Sequence, residues 1–215
     1  MKDKMNKIHN VDCMTFMKQV PDNYFDLVLT DPPYGIDIAE WDSEVPAKEY
    51  FKEIIRISKN QIIFGGNYFE LPHTNAWICW DRVFAEDVRG KAVTQTRVPR
   101  ENISDFEMIW TSLQIRPSFI RFSSIGNLSG FDNKLNVDYK QCKKQHPTQK
   151  PLNLIDFIIR NYSNEAKTIF DPFMGSGTTA VACKSLGLEW CGCELEPDYV
   201  DIANKRLEAV QGSLF

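Results

Sequence analysis

The stretch TIFDPFMGSGTTAVACKSL, residues 168–186, contains the pattern that decides the fold. Residues 168–170 form a short apolar run typical of a buried strand, and residues 176–186 have a helical pattern, so the glycine-containing turn joins a strand to a helix. A strand at residues 189–193 and a closing helix at residues 197–210 follow. Strands that alternate with helices predict an α/β fold with a doubly wound, mostly parallel sheet.

The N-terminal part of the chain has the same alternation. Residues 25–30 are an apolar run that stops at Asp31-Pro32-Pro33, because two prolines cannot continue a strand ladder. A helical pattern at residues 47–59 leads into the next strand. By the same criteria, further strands are predicted at residues 61–64, 77–80 and 106–110. Residues 111–145 are polar and weakly periodic, so we predict an inserted loop region there.

The composition is typical of one globular domain. The chain has 215 residues, 43% hydrophobic and 25% charged. No apolar run approaches the roughly 18 residues of a membrane helix. The N-terminus carries lysines but no apolar stretch of a signal peptide, so we expect a cytoplasmic location. The six cysteines contain no C-x-x-C pair, so we expect reduced thiols and no bound metal.

The charge is unevenly distributed along the chain. A formal net charge of −4 argues against a nucleic-acid partner. However, residues 88–150 contain eleven Lys or Arg against five acidic residues, a local net charge of +6. This asymmetry is compatible with a polyanion-binding face on an acidic body, and also with a solvated basic loop.

The turn at residues 171–180 has the features of a nucleotide-binding turn. Glycines at 175 and 177 let the backbone approach a ligand, and the following helix presents unpaired N–H groups. The spacing also resembles the dinucleotide fingerprint, with Glu194 nineteen residues after Gly175 where a ribose-binding acid belongs. A dinucleotide-dependent oxidoreductase or a turn without ligand is therefore an alternative. The absence of a Gly-Lys-Ser/Thr sequence argues against a P-loop.

Three motifs occur in a fixed order: D-P-P-Y-G at residues 31–35, H-P-T-Q-K-P at residues 146–151 and F-M-G-S-G at residues 173–177. Together they resemble the β-class amino-DNA methyltransferases of the D-P-P-Y type, which methylate N6 of adenine or N4 of cytosine. Shorter segments, among them Asn10-Val11-Asp12-Cys13 and Phe106-Glu107, extend the resemblance over nearly the whole chain.

The resemblance implies a single Rossmann-like methyltransferase domain of the S-adenosylmethionine-dependent type, spanning residues 1–215. Its catalytic half would be residues 1–110, a small target-recognition insert residues 111–145, and the cofactor half residues 146–215. Basic residues of the insert would contact phosphates or guanine edges of DNA. These candidates are Arg116, Arg121, Lys134, Lys140, Lys143 and Lys144.

The resemblance also implies S-adenosylmethionine as the cofactor. The glycine turn would hold its methionine part, Glu194 its ribose and Asp12 its adenine. Thr148 and Lys150 would lie beside the methionine carboxylate, and His146 would have a positional role. The complete set of expected cofactor-binding residues is Asp12, Cys13, Asp31, His146, Thr148, Lys150, Asp171, Phe173, Gly175, Ser176, Gly177, Thr178, Thr179 and Glu194.

The expected catalytic residues are Asp31, Pro32, Pro33 and Tyr34. The Asp31 carboxylate and the Pro32 carbonyl would accept hydrogen bonds from the base amino group and so free its lone pair for attack. The two prolines fix φ and aim that carbonyl. Tyr34 would stack on a base flipped out of the duplex.

Aspartate at the head of D-P-P-Y is more similar to the adenine-N6 enzymes than to the cytosine-N4 ones, where Ser is frequent. We therefore expect an adenine-N6 DNA methyltransferase, with N4-cytosine as the alternative. An RNA or protein amide methyltransferase and a catalytically silent DNA-binding module are the remaining rivals. The insert is short for this family, which argues against a long or highly discriminating target site. A small monomer would cover little duplex and related enzymes often pair, so we expect a homodimer.

Overall fold

The computed structural model describes residues 1–36, 44–82, 104, 106–122 and 149–210. Within these residues, eight strands form one sheet in the order β1-β8-β7-β2-β3-β5-β4-β6. The strands are β1 (Lys7–Asn10), β2 (Phe25–Thr30), β3 (Ser58–Phe64), β4 (Trp77–Asp81), β5 (Phe106–Thr111), β6 (Ser118–Arg121), β7 (Thr168–Asp171) and β8 (Glu189–Glu194). The helices are α1 (Cys13–Met17), α2 (Lys48–Ile57), α3 (Leu152–Tyr162), α4 (Thr178–Ser185) and α5 (Pro197–Ala209).

The sheet is mostly parallel, as predicted. Strands β1, β8, β7, β2 and β3 pair in parallel, and β4 pairs in parallel with β6. Strand β5 is antiparallel to both of its neighbours, β3 and β4, and is the one described strand that runs the other way. Its first residues therefore lie at the edge where the other strands end. We call this edge the catalytic edge, because the predicted catalytic segment, residues 31–34, follows the end of β2 there.

Helices cover both faces of the sheet, so its central strands are buried on both sides. Leu27 and Leu29 of β2 belong to a hydrophobic cluster with α3 and α4. Val28, on the opposite face of the same strand, belongs to a second cluster with α1 and α2. A strand that is buried on both faces has a continuous apolar sequence rather than an alternating one, as residues 25–30 do.

Three local predictions were wrong. Residues 118–121, predicted as loop, form the edge strand β6. The prediction missed this strand because its four residues include only one buried apolar side chain, Ile120, and give no clear periodicity. The helix predicted at residues 47–59 ends at Ile57, since Ser58 already pairs with Phe25 of β2. The helix expected from residue 176 begins at Thr178, after Gly177 as its N-cap. Strand β1 and helix α1 were not predicted.

Strand β3, predicted at residues 61–64, begins three residues earlier, at Ser58. The remaining predicted strands and helices are present with shifts of at most one or two residues at their ends. Within the described ranges, no helix combines the length and the apolar character that crossing a bilayer requires.

Candidate active site

The catalytic segment and the glycine turn begin at neighbouring strand ends. Strand β2 ends at Thr30 and its neighbour β7 ends at Asp171. The Thr30 hydroxyl donates a hydrogen bond of 2.8 Å to Oδ1 of Asp171 and ties the two ends together. Although Thr30 and Asp171 are 141 residues apart in the sequence, the two motifs therefore lie side by side at the catalytic edge, where open α/β sheets bind ligands.

A polar group that we call the active-site cluster surrounds the D-P-P-Y segment; it consists of Asp31, Tyr34, Glu107 and Lys150. The Lys150 ammonium lies 2.5 Å from Oδ2 of Asp31 and 3.3 Å from Oε1 of Glu107. The Tyr34 hydroxyl lies 2.6 Å from Oδ1 of Asp31 and 2.8 Å from the same Glu107 oxygen. Both oxygens of the Asp31 carboxylate therefore already accept a hydrogen bond.

The cluster is shielded from solvent, and this shifts the pKa of its members. Burial raises the pKa of the Tyr34 hydroxyl well above its ordinary value, and the charges of Asp31 and Glu107 raise it further. Burial opposes the charge of Lys150, but the same two carboxylates outweigh it and raise the pKa of the ammonium. Tyr34 is thus a neutral donor and Lys150 a cation throughout the physiological pH range.

The ring of Tyr34 is in contact with two features of the segment that follows β3. Tyr68 stacks on it, with centroids 4.9 Å apart and an interplanar angle of 12°. Tyr68 itself is 44% exposed. A Cβ atom at Gly65 would come within 2.3 Å of the Tyr34 ring, and Gly65 has a φ of +64°. Only glycine allows both this backbone conformation and this close approach.

The glycine turn is held by the buried Asp171. Its carboxylate accepts hydrogen bonds from the Thr30 hydroxyl, from the Phe173 N–H at 3.1 Å and from the Thr179 hydroxyl at 2.7 Å. Burial raises the pKa of Asp171 to about 6, although these hydrogen bonds oppose the shift. Asp171 and Thr179 therefore fix the shape of the turn from below.

The rim of the turn is open next to Glu194. Oε2 of Glu194 accepts the Gly175 N–H at 2.7 Å, and Oε1 accepts the Glu196 N–H at 2.9 Å. Burial raises the pKa of Glu194. Among the described residues, apart from its chain neighbours, no atom would lie within 4 Å of a Cβ added at Gly175, whereas one at Gly177 would meet Ala203 at 2.6 Å. Space for a ligand thus exists above Gly175, and Gly177 serves the packing of α5.

Ser176 and Thr178 face α5 and are buried. Arg206 of α5 donates from Nη1 to the Ser176 carbonyl at 2.5 Å, to its hydroxyl at 3.0 Å and to the Thr178 hydroxyl at 3.2 Å. The Ser176 hydroxyl also lies 3.4 Å from Oε1 of Gln149. These two predicted cofactor residues are therefore engaged in holding the turn against the last helix.

Asp12 lies at the end of β1, at the N-terminus of α1. One oxygen caps the helix by accepting the Thr15 N–H at 2.9 Å, and the other lies 3.4 Å from the Tyr50 hydroxyl. The Tyr50 ring is 6.2 Å from that of Phe173 in the glycine turn. This brings the predicted residues Asp12 and Phe173 to the same part of the molecule. Cys13 is buried, and burial raises the pKa of its thiol to about 12.

Of the predicted DNA-contacting residues, two belong to the described part of the chain. Arg116 is exposed, and Arg121 of β6 is 56% exposed, 3.6 Å from Asp81 and stacked over Phe119. Outside the described residues lie His146, Thr148, Lys134, Lys140, Lys143 and Lys144. Within the described ranges, no three His, Cys, Asp or Glu side chains come together as a metal-binding group.

Sequence reasoning missed three residues of this region. Glu107 was noted only as part of a motif, although a carboxylate inside the apolar strand FEMIWT is a signal that it has a buried partner. Nothing in the local sequence indicates the roles of Tyr68 and Tyr50, because they contact Tyr34 and Phe173, which lie far from them in the chain. Lys150 was expected beside a ligand carboxylate, and in the structure its contacts are to the carboxylates of Asp31 and Glu107.

Comparison with known proteins shows which family the chain belongs to. A family model described as DNA methylase, for the N6 and N4 methyltransferases, matches residues 73–205, more than half of the chain. The chain belongs to this DNA methylase family. The match begins after the D-P-P-Y segment, but individual relatives cover more of this methyltransferase. Membership of the family removes the oxidoreductase alternative.

The DNA methyltransferase is 27% identical to the Type II methyltransferase M1.MboII of Moraxella bovis, over 94% of this chain and 96% of the relative. It is also 27% identical to the Type II methyltransferase M.HinfI of Haemophilus influenzae, over 97% of this chain and 70% of the relative.

Solved structures share the fold of the methyltransferase. The M1.HpyAVI–SAM complex superimposes with a TM-score of 0.59 at 22% identity, covering 94% of this chain and 99% of that one. PvuII DNA methyltransferase, described as cytosine-N4-specific, gives 0.60 at 15% identity, covering 97% and 87%. The predicted Rossmann-like methyltransferase fold is thereby confirmed.

Proposed function

We propose that this DNA methyltransferase transfers the methyl group of S-adenosylmethionine to the exocyclic N6 of adenine in DNA. The observation that carries the proposal is the Asp31 carboxylate at the end of β2, tied through Thr30 to the glycine turn at the end of β7. Aspartate at the head of the D-P-P-Y segment supports adenine over cytosine. The fold does not decide between them, because the cytosine-N4-specific PvuII enzyme shares it.

The residues around the glycine turn fit S-adenosylmethionine. The open space above Gly175 admits a ligand, and the nearby Glu194 carboxylate suits ribose hydroxyls. Phe173, beside Tyr50 and Asp12, offers an aromatic face and a polar acceptor for the adenine. When bound, the cofactor supplies a sulfonium methyl group that is already strongly electrophilic.

The task of the protein is then to make the amino group a better nucleophile. The Asp31 carboxylate and the Pro32 carbonyl accept hydrogen bonds from the amino group and draw its geometry toward tetrahedral, which frees the nitrogen lone pair. A carboxylate has about four acceptor positions, so Asp31 can bind the amino group in addition to Lys150 or Tyr34. Lys150 holds the carboxylate in place.

Tyr34 provides the surface on which the flipped base stacks. Its ring already carries the exposed Tyr68, in the offset-stacked arrangement that aromatic pairs prefer. Such a pair contributes about 0.5–1.5 kcal/mol, whereas a base on an aromatic ring contributes about 1–3 kcal/mol. A flipped base can therefore compete with Tyr68 for the ring of Tyr34.

The DNA contacts and the assembly remain proposals. Arg116, Arg121 and the lysines at 134, 140, 143 and 144 would contact the duplex, and residues 111–145 would act as the target-recognition insert. Strand β6 belongs to the sheet, so the recognition part proper would begin after it. A homodimer and a cytoplasmic location stay predictions. Light scattering with and without duplex DNA tests the first of them.

The proposed activity is tested by identifying the product. The protein is incubated with methyl-labelled S-adenosylmethionine and unmethylated bacterial DNA, which is then digested to nucleosides and analysed by mass spectrometry. We expect labelled N6-methyladenine and no labelled N4-methylcytosine. Labelled N4-methylcytosine as the main product would contradict the adenine assignment and leave the family assignment intact.

A further inference from the structure

Glu107 is a buried carboxylate that the mechanism above does not use. It lies near the start of β5, and its side chain is 5% exposed. Because β5 runs against its neighbours, this position lies at the catalytic edge, where the side chain meets Tyr34 and Lys150. Arg82 lies 3.6 Å from its second oxygen. A carboxylate is this deeply buried only when cations and donors satisfy it.

Tyr34 has one hydroxyl proton and two carboxylate oxygens within hydrogen-bond distance. Asp31 lies at 2.6 Å and Glu107 at 2.8 Å from the phenol oxygen. A hydroxyl donates its proton to one acceptor at a time. The proton can therefore point to Asp31 or to Glu107, and the change needs only a rotation about the C–O bond.

Lys150 is shared between the same two carboxylates. Its ammonium lies 2.5 Å from Asp31 and 3.3 Å from Glu107, with three protons to distribute. Removing the acceptor of a buried donor destabilises the protein, because the donor remains desolvated without the hydrogen bond that offset this cost. Without Glu107, a substrate group that takes the place of Tyr34 at Asp31 would cost the Tyr34 hydroxyl its second carboxylate acceptor as well.

We propose that Glu107 is a positioning residue for methyl transfer, which accepts the Tyr34 hydroxyl when the amino group of the base occupies Asp31. Glu107 does not touch the base and acts through Tyr34. In the free protein the hydroxyl donates to Asp31, and in the complex with DNA it donates to Glu107. This inference rests on the proposed role of Asp31 as acceptor of the amino group.

Three rates test this role: those of the intact protein, Glu107→Gln and Glu107→Met. Glutamine keeps an acceptor oxygen but loses the charge, and methionine has a similar length but no acceptor for the hydroxyl. We expect kcat to fall roughly 10-fold in Glu107→Gln and roughly 100-fold in Glu107→Met. The KM for DNA and the affinity for S-adenosylhomocysteine should stay within about 3-fold, because neither depends on the acceptor.

Asp156→Asn is the matched control. Asp156 is also a buried carboxylate, 4% exposed, and it pairs with Arg160 within α3. Its loss should leave kcat within about 2-fold of the intact protein, whatever it does to stability. A comparable loss of kcat in this variant would mean that removing any buried carboxylate slows transfer, which would overturn the proposal.

The Tyr34→Phe background decides whether Glu107 acts through the hydroxyl. Neither Glu107→Gln nor Glu107→Met carries a charge, so their difference in kcat measures the acceptor for Tyr34. With Tyr34→Phe that difference should shrink to less than about 2-fold. A 10-fold difference that persists in this background would overturn the proposal.

A second comparison covers the case in which Glu107→Met does not fold, as judged by thermal melting. The neutral amide oxygen of glutamine is a weaker acceptor for the Tyr34 hydroxyl than a carboxylate is. The fall of kcat in Glu107→Gln must then be several-fold larger with Tyr34 present than with Tyr34→Phe, and equal falls would overturn the proposal. The base that is methylated does not enter this comparison. If the product is N4-methylcytosine, the adenine assignment fails and the role of Glu107 is still decided by the same rates.

Discussion

The catalytic turn, residues 31–34, and the glycine turn, residues 171–179, leave neighbouring strands at one edge of the sheet, but they are held in different ways. The glycine turn is held mostly by residues of the same C-terminal part of the chain, Asp171, Glu194 and Arg206. Its one long-range hydrogen bond described above comes from Thr30. The catalytic turn is held by side chains from far along the chain, Glu107 and Lys150.

This difference separates two requirements of the reaction. A cofactor site works best when its shape exists before the ligand arrives, because no ordering cost then reduces affinity. The catalytic turn has to admit a further donor, because the Asp31 oxygens that the base needs already accept hydrogen bonds from Tyr34 and Lys150. The sheet thus joins a fixed turn to one whose hydrogen bonds can be rearranged.

The largest expected effect comes from removing the acceptor of the catalytic turn. Asp31→Ala should lower kcat by about 10³-fold, because the amino group loses its charged acceptor. The dissociation constant for S-adenosylhomocysteine, measured by calorimetry, should stay within about 3-fold, because the glycine turn is held independently. Asp26→Asn, on the same strand at the opposite edge, is the control and should keep kcat within about 3-fold. A large loss of cofactor affinity in Asp31→Ala would contradict the separation of the two turns.

The reverse experiment affects the cofactor side alone. Glu194→Ala should weaken S-adenosylhomocysteine binding roughly 10- to 100-fold, since the carboxylate that accepts hydrogen bonds from the ribose hydroxyls and from the Gly175 N–H is lost. At saturating cofactor, kcat should stay within about 3-fold. Glu196→Ala, an exposed carboxylate two residues later, should change neither value. Unchanged affinity in Glu194→Ala would remove Glu194 from the cofactor site.

Asp26 lies at the start of β2, on the opposite edge of the sheet from the proposed active site. Burial opposes its charge, but hydrogen bonds from Lys59, Lys167 and Thr168 outweigh this and lower its pKa to about 2. The stabilisation is therefore present above the ordinary pKa near 4 and is lost as the pH falls toward 2. Asp26→Asn should lower the free energy of unfolding by about 2 kcal/mol at pH 7. In urea titrations the difference from the intact protein should shrink below pH 4.

Asp171 should show the opposite pH dependence, with an effect of similar size. Its pKa is raised to about 6, so the folded protein holds the proton more tightly than the unfolded chain. The stability that this gives is present below pH 4 and lost as the pH rises through 6. Asp171→Asn keeps the acceptor for Phe173 and Thr30 and removes the titration. Relative to the intact protein, this variant should gain about 2 kcal/mol in unfolding free energy between pH 4 and pH 7. A constant difference would mean that Asp171 is ionised throughout.

The sequence predicts those parts of the fold that depend on neighbours in the chain. The apolar run at residues 25–30 and the strand-turn-helix at residues 168–186 were predicted because burial on both faces and glycine punctuation are local signals. Strand β6 was missed because it depends on its partner β4 rather than on its own composition.

The motif residues were found in the same way, but their partners were not. Lys150 and Asp31 are 119 positions apart, and nothing near either residue indicates that they are in contact. Glu107 reaches the cluster only because β5 is reversed, and a strand's direction is a property of the assembled sheet. A motif therefore identifies which groups take part, whereas the hydrogen bonds among them require the three-dimensional arrangement.

The position of β6 bears on how proteins with this scaffold can change specificity. Strand β6 runs parallel to β4 and ends at the catalytic edge. Lys150 lies at the same edge, beside Asp31. The connection between them starts and finishes on one side of the sheet. A longer or shorter peptide in its place would join the same two points of the sheet, so the strand pairings described above would not have to change.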